Sequence, residues 1–147
     1  MTRRALILCT GNSCRSQLAE AIVNAELADE WEAVSAGTRP AGYVHPKALQ
    51  VLGEIGIVWS GRSKSVEEYR GQAFDAVITV CDSAAEDCPV WLGPGVRTHI
   101  GFPDPAAATG TEDEILDAFR GVRDAIRYQI PAFLRAQTRS RAPGTGA

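Results

Sequence analysis

"RALILCTGNSCRSQLAEAIVNAELAD", residues 4–29, holds an apolar run, a polar loop and an amphipathic stretch in direct succession. Residues 4–9 are short and apolar and stop at a glycine-containing loop, which predicts a buried strand. From Ser16 to Asp29, apolar Leu18, Ile22, Val23, Ala25 and Leu27 recur at helical spacing. That spacing predicts a helix packed on a sheet. A strand turning straight into a helix is half of a βαβ unit, and the rest of the chain repeats the pattern.

"WEAVSAGT" (31–38) predicts a second strand ending at Ser35–Gly37. "HPKALQVLGEIG" (45–56) predicts a helix with Pro46 in its first turn and Leu49, Leu52 and Ile55 facing inward. "FDAVITVC" (74–81) is β-rich and apolar and predicts a strand ending on Cys81. "VRTHIGFPDP" (96–105) predicts a fourth, shorter strand and a proline-bounded turn. The last helix opens at "TEDE", where Thr111 and Glu114 have capping-box spacing. Ile115, Phe119, Val122, Ile126, Ile130 and Phe133 continue it, and Pro131 is expected to bend it near its end. The expected architecture is three-layer α/β, a four-stranded parallel sheet with helices on both faces. Residues 1–136 are expected to form one catalytic domain and 137–147 a flexible tail closing on "APGTGA".

Composition narrows the function classes. The 147 residues carry a net charge of −3, with 45% hydrophobic and 22% charged residues, as in ordinary globular proteins. No Lys/Arg stripe points to nucleic acid, and no apolar run approaches a membrane span. The apolar stretch after Arg3 and Arg4 is too short for a signal-peptide core. A cytoplasmic monomer is expected. In that reducing setting Cys9, Cys14, Cys81 and Cys88 are catalytic, redox or metal-binding candidates rather than structural disulfides.

Ligands of open α/β sheets bind at the carboxyl ends of the strands. Cys9, Ser35 and Cys81 end strands there, and Asp104 follows the fourth. Cys9 to Arg15 spells Cys-x5-Arg before a helix. Thr10, Gly11, Asn12, Ser13, Cys14, Arg15 and Ser16 would turn backbone N–H groups and a helix N-terminus into one concavity. Gly11 and Asn12 tolerate the backbone angles such a turn needs, and Arg15 adds a planar fork for a tetrahedral oxyanion. These donors favour the thiolate form of Cys9, which is the nucleophile. Asp104, before Pro105, reads as a turn residue in isolation and as a general acid at this sheet edge. Cys81 and Cys88 leave three readings open: unrelated core thiols, a metal site of unusual spacing, or a redox pair. His45, His99, Trp31, Trp59 and Trp91 carry no functional signal.

"CTGNSCRSQLAEA" (9–21), "SAGT" (35–38), "VITVCDSAAEDCP" (77–89) and the Asp-Pro at 104–105 together resemble the thioredoxin-coupled arsenate reductases built on the low-molecular-weight tyrosine phosphatase fold. The resemblance implies that Cys9 attacks arsenate, or holds phosphate or sulfate as mimics, while Asp104 protonates the departing oxygen. It implies that Cys81 then attacks Cys9, that arsenite leaves, and that Cys88 moves the disulfide to Cys81–Cys88. A thioredoxin or similar thiol carrier would reduce it, and no cofactor is implied. Cys14 receives no required role. Glu20 and Ser35 are expected to support the loop. Relatives with a potassium site use positions matching Asn12 and Glu20 plus a carboxylate where "SGRSKSVEE" (60–68) places Lys64. An ammonium there replaces the cation, so no metal is expected. Two other readings stand beside the reductase: a small aryl phosphatase needing only Cys9, Arg15 and Asp104, and a non-catalytic oxyanion or redox sensor.

Overall fold

The computed structural model describes residues 2–82, 91, 93 and 95–140. Four parallel strands, β1 (Arg3–Cys9), β2 (Trp31–Gly37), β3 (Ala76–Thr79) and β4 (Val96–His99), form one sheet in the order β2-β1-β3-β4. Register runs from Arg3↔Trp31 to Cys9↔Gly37 on one side of β1 and from Ala5↔Ala76 to Leu8↔Thr79 on the other. Central β1 is buried from Ala5 to Cys9, as a parallel strand covered on both faces must be.

The two faces of β1 divide the core. Ala5, Ile7 and Cys9 pack under helices α1 (Arg15–Glu26), α2 (Pro46–Glu54) and α3 (Glu112–Ser140). Leu6 and Leu8 point the other way, onto Val66, Phe74, Val77 and Trp91. A 3-10 turn, Val66–Tyr69, supplies the helical layer there among the described residues. The fold is therefore the expected α/β architecture, with unequal layers.

Several boundaries move for physical reasons. β3 stops at Thr79, so Cys81 lies just beyond the strand; Val80 still donates its N–H to Leu8 O at 2.9 Å. Val80 and Cys81 are both fully buried, so apolar character continues past the strand. In α2 the inward residues are Ala48, Val51 and Leu52, while Leu49 faces outward. A helix of only nine residues presents one narrow stripe. The Thr111–Glu114 capping box forms: Glu114 N–H donates to Thr111 Oγ1 at 3.1 Å and Thr111 N–H to Glu114 Oε1 at 3.0 Å. α3 runs through Pro131 as one helix and reaches Ser140, past the expected boundary at 136. Ile130 and Leu134, both fully buried, hold it against the core on either side of the proline. Trp31 Nε1 donates to Thr138 Oγ1 at 3.0 Å and anchors the last turn to β2. None of the described helices is long and apolar enough to cross a membrane.

Candidate active site

The carboxyl end of β1 runs into the loop 10–14 and then into α1. The loop's carbonyls face outward. Thr10 O accepts from Arg39 N–H at 2.9 Å, Gly11 O from Ala41 N–H at 2.8 Å, and Ser13 O from His45 N–H at 3.0 Å. No peptide bond described is cis. The N–H groups of Gly11, Asn12 and Cys14 lie trans to those carbonyls and so face inward. Asn12 N–H indeed reaches Cys9 Sγ at 3.2 Å. The loop is thus a cradle of donors around a sulfur.

Asn12 is its keystone. It alone among the described non-glycine residues has positive φ, 49°, a conformation asparagine accepts more readily than most residues. Its Nδ2 donates to Ser16 Oγ at 2.7 Å and to Ser35 Oγ at 2.9 Å, and its Oδ1 accepts from Lys64 N–H at 2.8 Å. Because Asn12 donates to Ser16 Oγ, the hydroxyl proton is free to point at Cys9 Sγ, 2.9 Å away. A hydroxyl donor there favours negative charge on sulfur. Gln17, which sequence reading passed over, braces the loop by donating to Asn12 O, Asn12 Oδ1 and Arg62 O, and it accepts from Trp59 Nε1. Ser63 donates its hydroxyl to Gly11 O at 3.1 Å.

Behind Asn12 lies a buried ion pair. Ser35 Oγ donates to Glu20 Oε1 at 2.5 Å, and Lys64 Nζ sits 3.5 Å from the same oxygen. Burial pushes the Glu20 carboxyl above its ordinary value, while Ser35 and Lys64 pull it back down. Lys64 Nζ also donates to Arg62 O at 2.9 Å. Ser35 thus links Glu20 to Asn12, and an ammonium carried by the chain lies beside the carboxylate. Among the described residues no group of three His, Cys, Asp or Glu side chains gathers that could hold a metal.

Arg15 opens α1, and its NH1 donates to Phe102 O at 3.2 Å while NH2 lies 3.8 Å from Asp104 Oδ2. Asp104 caps a short 3-10 turn, Pro105–Ala107, through Ala106 N–H to Oδ1 at 2.9 Å, and remains half exposed. Cys9, Arg15 and Asp104 line one cavity of about 300 Å³, together with Cys14, Tyr43 and His45. Cys14 is a different thiol from Cys9. Burial first, then the nearby Asp104 and Cys9, push it up to about 12, so it stays protonated and unreactive at neutral pH.

Cys81 is fully buried beyond β3 and is disulfide-bonded. Cys88 lies outside the described residues. Cys9 and Cys14 are free thiols.

The sequence model of the low-molecular-weight phosphotyrosine protein phosphatases matches residues 4–142. The chain belongs to this family. Within the low-molecular-weight phosphatase family the chain is 45% identical over 127 residues to an arsenate reductase of Halalkalibacterium halodurans, covering 86% of this chain and 91% of that one. An arsenate reductase solved in a phosphate-binding state superposes with a TM-score of 0.76 at 26% identity, covering 93% of this chain and 100% of that one. A thioredoxin-dependent arsenate reductase from Corynebacterium glutamicum matches with a TM-score of 0.65 at 25% identity, over 93% of this chain and 64% of that one.

Proposed function

We propose that the protein reduces arsenate to arsenite. The observation that carries this reading beyond phosphate chemistry is the placement of two cysteines. β1 and β3 are neighbours in the sheet, and they deliver Cys9 and Cys81 to the same edge. A phosphatase needs only the first of these. The relatives' names support the same choice.

Arsenate enters the cradle against the inward N–H groups and the Arg15 fork. Cys9 thiolate forms an S–As bond, and Asp104 gives its proton to the departing oxygen, which leaves as water. Cys81 thiolate then attacks Cys9 sulfur. An S–S bond forms, the S–As bond breaks, and its electron pair stays on arsenic, taking As(V) to As(III). Cys88 attacks Cys81 and frees Cys9. A thioredoxin-like carrier returns the resulting disulfide to two thiols. A residual aryl phosphatase activity would need Cys9, Arg15 and Asp104 alone, the thiolate taking the phosphoryl group as the protonated aryl oxygen leaves and water then releasing phosphate from sulfur. The residues after Asp104–Pro105, "AAATG", offer no aromatic ring to an aryl substrate.

The test is to mix the reduced protein with arsenate without a carrier and count free thiols by mass spectrometry. Loss of two thiols, located to Cys81 and Cys88, with release of one arsenite is the expected result. Four surviving thiols alongside hydrolysis of an aryl phosphate would convert the reading to phosphatase. Neither turnover nor thiol loss would leave a sensor.

A further inference from the structure

His45 sits where helix capping and anion binding meet. It precedes α2, and its Nδ1 accepts from Lys47 N–H at 3.1 Å. Its backbone N–H holds the cradle through Ser13 O. Its ring rests on Phe119, with centroids 4.8 Å apart. The ring is therefore fixed in place and in tautomer: an Nδ1 that accepts leaves the proton on Nε2. His45 also lines the cavity that holds Cys9, Arg15 and Asp104. Burial, with Lys47 next, lowers its pKa from the ordinary 6.5, with Asp104 opposing, so the neutral ring prevails at pH 7.

We infer that His45 binds the substrate directly, its Nε2–H donating to an oxygen of the tetrahedral oxyanion held in the cradle. This rests on the oxyanion-binding reading above and assigns it one more donor. Capping alone is served by shorter side chains such as Asn, Ser or Asp. The imidazole adds to the cap a second nitrogen, on a residue that lines the cavity holding Cys9. A neutral donor pairs with an unprotonated oxygen, so the site favours the deprotonated oxyanion.

Inorganic phosphate is the probe, and the full chain is the material. His45→Asn keeps a capping oxygen but removes the ring. Calorimetric titration is expected to show phosphate binding about tenfold weaker in His45→Asn, since a hydrogen bond to a charged oxygen is lost, with Tm lowered only by the lost ring contact on Phe119. His45→Ala, which also loses the cap, is expected to show the same weakening together with a still lower Tm. The second measurement needs no variant. The sequence has two histidines, so ring-nitrogen NMR can follow each. Phosphate should move the Nε2 signal of His45 and leave His99, bonded to Thr79 Oγ1, in place. Wild-type affinity in His45→Asn, with an unmoved Nε2 signal, overturns the inference while leaving the anion site standing. A wild-type protein that binds no phosphate overturns the anion site itself, and this inference with it.

Discussion

The cradle and the acid segment face each other across one cavity and are built in opposite ways. Around Asn12, polar atoms are buried and bonded in series, from Lys64 through Glu20, Ser35 and Asn12 to Ser16 and Cys9. Asp104 is half exposed and has a local turn bond to Ala106 N–H, with Arg15 at 3.8 Å. A group that must hold charge in one place benefits from rigid, prepaid hydrogen bonds. A group that must give up a proton and recover it from water benefits from exposure. The contrast teaches that anion binding and proton supply are separable in this site.

Variants can break or sharpen that separation. Cys9→Ser should bring arsenite release and aryl phosphate hydrolysis down to background while phosphate binding persists; loss of binding as well would mean that the cradle depends on its sulfur. Asp104→Asn should lower kcat by about a hundredfold to ten-thousandfold. Its stability should stay within about 0.5 kcal/mol of wild type, as for an exposed position. Asn12→Ala should do the reverse, costing about 2–4 kcal/mol in urea denaturation, because Ser16, Ser35 and the Lys64 N–H lose their partner. A stable Asn12→Ala protein would show that the loop is held from outside, through Arg39, Ala41 and His45.

The smallest effect is the one that depends most on pH. In the folded protein Glu20 holds its proton more tightly than its ordinary value of 4.5 would give. Stability therefore falls as pH rises from that value through the raised one. Lys64 moderates the rise. Lys64→Gln should push Glu20 higher still, so its deficit against wild type should be small near about pH 4 and reach about 1–3 kcal/mol near pH 7. Denaturation at the two pH values reads the difference, and a deficit independent of pH would remove Lys64 from the pair.

Local pattern carries the strand–loop–helix at residues 4–29, the helix cap at Thr111 and the cradle around Cys9, because each depends on residues close in the chain. Glu20, Ser35 and Lys64 became readable as a set through family resemblance. Gln17, Trp59 and His45 were not readable. Trp59 meets Gln17 from 42 positions away, and His45 meets Phe119 across the fold. No periodicity encodes such meetings. Reading Cys81 as a strand end and Leu49 as core failed for a related reason: apolar character reports burial, and neither pairing nor direction follows from it.

Gly37, paired with Cys9 across the sheet, donates its N–H to Lys64 O at 2.9 Å. A Cβ atom there would lie 2.3 Å from Thr10 O. The close approach of the Thr10 carbonyl to β2 therefore acts as a gauge for the cradle's aperture. An alanine at 37 would push the Thr10 carbonyl inward and rotate the first peptide of the loop. The change would alter which tetrahedral anion fits, so a single methyl group on the strand beside Cys9 would retune the choice between the longer As–O and shorter P–O bonds.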